Sequence, residues 1–79
     1  MKYFAQFLYY DGNGKYSEAL GSDGFLRLDG RLSLDNMIAK CHAQMTRLRK
    51  VASFAGFIIY HGDLKVTNNK IIYTYKKEG

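Results

Sequence analysis

The segment from Tyr3 to Tyr10, YFAQFLYY, is apolar on both faces of an extended chain. Alternation sends Tyr3, Ala5, Phe7 and Tyr9 one way, and Phe4, Leu8 and Tyr10 the other, with Gln6 among the second set. A strand apolar on both sides belongs at the centre of a sheet or is covered twice, so the rest of the chain is predicted to assemble around it. The adjacent Tyr9 and Tyr10 place one ring on each side. Asp11-Gly12-Asn13-Gly14 ends the strand with residues that tolerate positive φ, and Lys15 to Leu20 is predicted to pair back across that turn. A loop at Gly21 to Gly24, a short strand over Phe25 to Leu28 and a turn at Asp29-Gly30 follow.

One helix is predicted from Leu34 to Lys50. Ser33 stands at its N-cap, Asp35 in its first turn, and Arg47, Arg49 and Lys50 near its end. Leu34, Met37, Ile38, Cys41, Met45, Leu48 and Val51 recur at three- and four-residue spacings and form one apolar stripe suited to packing on a sheet. Lys40, Ala43, Arg47 and Lys50 fall opposite it. Phe54 to His61 and Lys70 to Lys76 read as two further strands, with Gly56 marking a bulge or a close contact. Simple alternation along the last strand groups Ile71, Tyr73 and Tyr75 on one face and Ile72, Thr74 and Lys76 on the other. Leu64 and Val66 extend the hairpin between these strands, and Asn68-Asn69 turns it. The expected architecture is therefore one α+β domain over residues 1–79. It is a three- to four-stranded, largely antiparallel sheet with one amphipathic helix on one face, in a ββαββ-like order.

Seventy-nine residues leave room for a single core, and twelve Phe and Tyr rings supply much of it. Those rings exceed what so small a core needs, so some are expected to face outward and mark an interface. A single cysteine excludes an internal disulfide and a cysteine-rich zinc site, which points to a reducing compartment, the cytoplasm. The apolar run at the start is too short to span a membrane and carries no small-residue cleavage site.

No residue set is expected to bind a metal or cofactor or to catalyse a reaction. Cys41 and His42 are neighbours in sequence and point about 100° apart on a helix, so they cannot act as a nucleophile–base pair. Cys41 falls on the apolar stripe, where a buried thiol is the ordinary outcome. His61 at a strand end reads as a surface or turn residue. Asp11, Asp23, Asp29 and Asp63 all stand beside Gly, which is turn chemistry. The DGNGK stretch lacks the spaced ligands of a calcium loop and the spacing of a phosphate loop.

Charge is the stronger functional signal. From Asn36 to Lys77 there are eight Lys or Arg residues against one acid, Asp63, whereas the first thirty-five residues hold five acids and four bases. The bland reading is a solvated surface with helix C-terminal capping. The functional reading is a positive, tyrosine-bearing patch that attracts an acidic partner. Lys40, Arg47, Arg49, Lys50, Tyr60, Lys70, Tyr73, Tyr75 and Lys76 are its candidate contacts.

In its length, its lack of cofactor motifs and its single helix on a small sheet, the chain resembles compact proteins encoded by bacteriophages and mobile elements. The elements that carry this are the strand Tyr3–Tyr10, the helix Leu34–Lys50 and the strands Phe54–His61 and Lys70–Lys76. Among such proteins it is similar to anti-CRISPR proteins and other inhibitors of host defence. That group has no shared signature, and no functional residue is carried over from it. The resemblance implies a non-enzymatic protein that works in the host bacterial cytoplasm. It would bind and inhibit a host protein or nucleoprotein complex. Many such inhibitors are acidic mimics of nucleic acid; a net charge of +5 departs from that pattern. An acidic protein surface, or the nucleic-acid component of an effector, is then the expected partner. Direct nucleic-acid binding through the same basic face is the alternative, and a homodimer is compatible with either.

Overall fold

The computed structural model describes residues 2–10, 12–19, 24–47, 54–62 and 69–77. In chain order they form β1 (Lys2–Tyr10), β2 (Tyr16–Glu18), β3 (Phe25–Asp29), α1 (Leu34–Arg47), β4 (Phe54–His61) and β5 (Lys70–Lys76). β1 is central, as its two apolar faces require. β4 pairs along one side of it and β2 and β3 share the other, while β5 pairs, among the described residues, only with β4. Every pairing is antiparallel.

The sheet has five strands, one more than the upper expectation. The difference arises because β2 and β3 divide one edge position. β2 pairs residues 8–10 of β1, and β3 pairs residues 2–6. Both β3 and β4 run antiparallel to β1 and therefore parallel to each other, so α1 is the crossover that carries the chain over β1.

Between β1 and β2, Gly12 and Gly14 have φ of 86° and 89°, a region other residues enter at a steric penalty. The Gly14 N–H donates to the Tyr10 hydroxyl at 3.1 Å. At the junction of β2 with β3, Ala19 N–H donates to the Phe7 carbonyl at 2.9 Å. The Gln6 side chain closes the gap that remains. Its Nε2 donates to the Ala19 carbonyl at 2.7 Å and the Gly24 carbonyl at 3.1 Å, with the Phe7 carbonyl at 3.2 Å. Gln6 is the one buried polar side chain among the described residues, and its hydrogen bonds explain why burial is tolerated.

α1 begins as predicted. The Ser33 hydroxyl accepts from the Asn36 N–H at 3.2 Å, and the Ser33 carbonyl accepts from Met37 N–H at 3.0 Å. Before it, Asp29 turns the chain: its carboxylate accepts from the Arg31 N–H and pairs with the Arg31 guanidinium at 3.0 Å. Of the predicted stripe, Met37 and Cys41 are buried and Ile38 and Met45 pack against the core. Leu34, in the first turn, is 41% exposed instead. Leu48 and Val51 lie outside the described residues, as do Leu64, Val66 and Asn68.

The core fills the space between α1 and one sheet face. Strand register assembles that face in rows: Leu28–Tyr3–His61–Lys70, then Leu26–Ala5–Ile59–Tyr73, then Phe7–Phe57–Tyr75. Phe57 is fully buried at its centre, against the rings of Phe7, His42, Tyr73 and Tyr75.

Two irregularities set which side chains reach this core. β4 and β1 lose register at Leu8/Tyr9, where Ala55 is the extra residue and Phe54 stacks on Phe7 at 4.9 Å. β5 shifts at Ile59/Tyr60, where Ile72 is extra. Alternation alone therefore misplaces two residues of β5. Ile72 packs against the core with Tyr73 and Tyr75, and Ile71 pairs with Tyr60 on the opposite face. Gly56 is a close contact as well as part of a bulge, since a Cβ there would strike the Tyr75 carbonyl of β5.

Candidate interface on the uncovered sheet face

The sheet face away from α1 has no described helix or strand over it. Its rows follow from the same register: Arg27–Phe4–Tyr60–Ile71, Phe25–Gln6–Ile58–Thr74, and Glu18–Leu8–Gly56–Lys76, with Tyr16–Tyr10 at the end. Phe4 and Leu8 are buried on this face. Phe4 stacks on Tyr60 with centroids 4.9 Å apart and meets Phe25 at 6.4 Å. Ile71 ends this row and is 54% exposed, the most exposed large apolar residue described.

Packing and charge act together on Tyr60. Burial raises its phenol pKa, and the nearby Glu18 carboxylate raises it further, so the hydroxyl stays protonated as a hydrogen-bond donor. Arg27, Lys2 and Lys76 bring positive charge to this face. The exposed Asp29 is matched by Arg31, whose hydrogen bonds hold the carboxyl below its usual pKa. Among the described residues Glu18 is the remaining acid on this face, so cations predominate among them.

Tyr16 spans the far end of the face. Its ring meets Tyr10 at 5.0 Å, Lys76 Nζ lies 5.1 Å from its centroid, and its hydroxyl donates to the Lys77 carbonyl at 2.7 Å. Gly56, in the row beside it, contributes no side chain to obstruct that reach.

The residues predicted as partner contacts do not gather on one surface. Tyr60 and Lys76 lie on the uncovered face. Tyr73 and Tyr75 lie on the helix-packed face, half-buried, with Tyr75 edge-on to His42 at 4.6 Å. Lys70 is exposed at the start of the edge strand, on the helix-side register. Lys40 is exposed on α1, beside a shallow cleft of about 230 Å³ lined by Leu26, Ala43 and Gln44. That volume is below the roughly 300 Å³ at which small-molecule sites begin. Arg47 ends α1, and Arg49 and Lys50 lie outside the described residues. The sequence reading passed over Phe25, Arg27, Ile58 and Ile71. The signal available for them was the second apolar face of β1, which has to be matched by apolar neighbours across the sheet.

The remaining reactive groups are accounted for by packing. His61 stacks on Tyr3 at 4.7 Å. Cys41 has no exposed surface, and burial pushes its thiol pKa up to about 12. At neutral pH it is a protonated, inaccessible thiol. Iodoacetamide is therefore expected to label Cys41 only at the rate of unfolding. The folded pKa lies above the unfolded value, so the stabilisation is complete below about pH 9 and is lost as pH rises toward 12. A Cys41→Ala variant should show a shallower decline across that alkaline window; equal slopes would refute the assignment.

Among the described residues no group of three or more His, Cys, Asp or Glu side chains comes together, and no helix is long and apolar enough to cross a membrane. No protein-family model matches the chain, and neither the curated proteins nor the solved structures contain a match to it.

Proposed function

We propose that this is a non-enzymatic binding protein that docks its uncovered sheet face onto an acidic protein surface, blocking or modulating that partner. The observation that carries the reading is the row Arg27–Phe4–Tyr60–Ile71: an aromatic and aliphatic strip ending in a half-exposed isoleucine, with cations at its margins. Apolar centres with tyrosine and arginine anchors and a charged rim are the composition of protein interfaces. The predominance of cations selects for an acidic partner and speeds its encounter. Occupying a partner's surface in this way is how a small inhibitor of the anti-CRISPR type would act, and the size of the chain suits that role.

Direct nucleic-acid binding is the second reading, since exposed rings on an antiparallel sheet can stack bases. The ring arrangement favours protein. Phe4 and Tyr60 stack on each other at an interplanar angle of 21°, which uses one face of each ring that a base would otherwise take.

The test compares the wild type with Ile71→Ser as bait in bacterial lysate. A stoichiometric acidic protein is expected to be retained by the wild type, and its affinity to fall roughly 30-fold in the variant, the size of an interface hot spot. Folding stability should change by less than about 1 kcal/mol, because the side chain is half in water. Retention unaffected by Ile71→Ser, or a low-salt gel shift of DNA or RNA probes that this substitution abolishes, would overturn the protein-docking reading.

A further inference from the structure

β5 stands at the edge of the sheet, with β4 as its only described strand partner. The Lys77 N–H donates inward to the Ala55 carbonyl at 2.7 Å. Backbone groups alternate in direction along an antiparallel strand, so those of Thr74 and Lys76 point outward from the sheet. Such a row is a template for one more strand. Exposed lysines, Lys70 and Lys76, mark the two ends of β5, and Lys77 follows. A second copy of this chain, paired antiparallel in full register, would bring Lys70 and the partner's Lys76 to the same end of the pair, on opposite sheet faces because Ile72 breaks the alternation. Like charges gathered at both ends in this way repel, which disfavours a second copy at this edge. The same lysines favour a strand with carboxylates at its ends, in either direction.

We propose that the outer edge of β5 takes an extended protein segment carrying an acidic residue at each end, which adds to the sheet as a further strand. The inference rests on the reading of the chain as a protein-binding module and supplies the partner's local chemistry. Main-chain hydrogen bonds to Thr74 and Lys76 give the attachment, and the terminal ion pairs choose the sequence.

The probes are two capped hexapeptides, Glu-Thr-Val-Thr-Val-Glu, whose end residues face opposite sides as Lys70 and Lys76 do, and its counterpart with lysine at both ends. At low salt the acidic peptide is expected to bind about tenfold more tightly, from two exposed ion pairs. It should also slow hydrogen exchange at the Thr74 and Lys76 amides. Reversing both charges, with Lys70→Glu and Lys76→Glu, should invert the preference. Thr74→Pro removes one outward N–H at an edge position that tolerates proline and should abolish binding of either peptide, with folding checked by thermal melting. Equal affinity for the two peptides overturns the proposal, as does unchanged exchange at Thr74 and Lys76. So does protection of those amides that grows with protein concentration alone, because a second copy then occupies the edge. Ile71→Ser separates the two ideas: it leaves the backbone of β5 intact, so peptide binding persists even where docking of the face has failed.

Discussion

Replacing Phe57 with alanine is expected to lower folding stability by about 3–5 kcal/mol. The ring has no exposed surface and touches Phe7, His42, Tyr73 and Tyr75, so its removal opens a cavity where the sheet and α1 meet. Each aromatic pair is worth roughly 0.5–1.5 kcal/mol beyond the area it buries. A chain of seventy-nine residues has a total stability on the order of 4–12 kcal/mol, so this one change takes a large part of it. Urea unfolding followed by far-ultraviolet circular dichroism would measure the loss. A cost under about 1.5 kcal/mol would mean that the core is not centred on Phe57.

Gln6→Leu is the second large effect, through a different mechanism. Leucine suits an apolar strand and keeps the approximate volume, so a packing argument alone predicts little change. The polar account predicts otherwise. The Ala19 and Gly24 carbonyls lose their side-chain donor in a buried setting, and each such orphan costs roughly 1–3 kcal/mol. A loss of about 2–4 kcal/mol is expected, with the β2–β3 edge opening first. Hydrogen exchange at the Ala19 amide, which bonds the Phe7 carbonyl, should accelerate more than exchange in β4. A neutral or stabilising Gln6→Leu would show that water satisfies those carbonyls as well as the amide does.

Much of the architecture was legible in the residues because local signals agreed. The two apolar faces of β1 demanded neighbours on both sides, Ser33 marked the start of α1, and the spans of β4 and β5 match their predicted limits. Where the reading departed from the structure, the cause was non-local. The division of one sheet edge between β2 and β3 depends on Gln6 reaching across a gap, and a glutamine in an apolar strand shows only that something polar is near. The candidate site was less legible for a related reason. A strand period of two is broken at Ile72 by one extra residue, which moves Ile71 to the uncovered face. The lysine and tyrosine alternation along β5 then suggested a single patch. The sheet instead directs Tyr73 and Tyr75 toward α1 and Tyr60 away from it.

The central place of β1 carries a consequence for biosynthesis. Its partners on one side follow within the next few turns of the polypeptide, but β4 leaves the ribosome only after α1, and β5 later still. The Tyr16–Lys77 hydrogen bond links positions sixty-one residues apart, so the last strand closes against one of the first. A topology so rich in distant pairings orders slowly for its size. During that interval a nascent YFAQFLYY ribbon presents a sticky, unzipped border to the surrounding milieu, open to wrong pairings until β4 arrives.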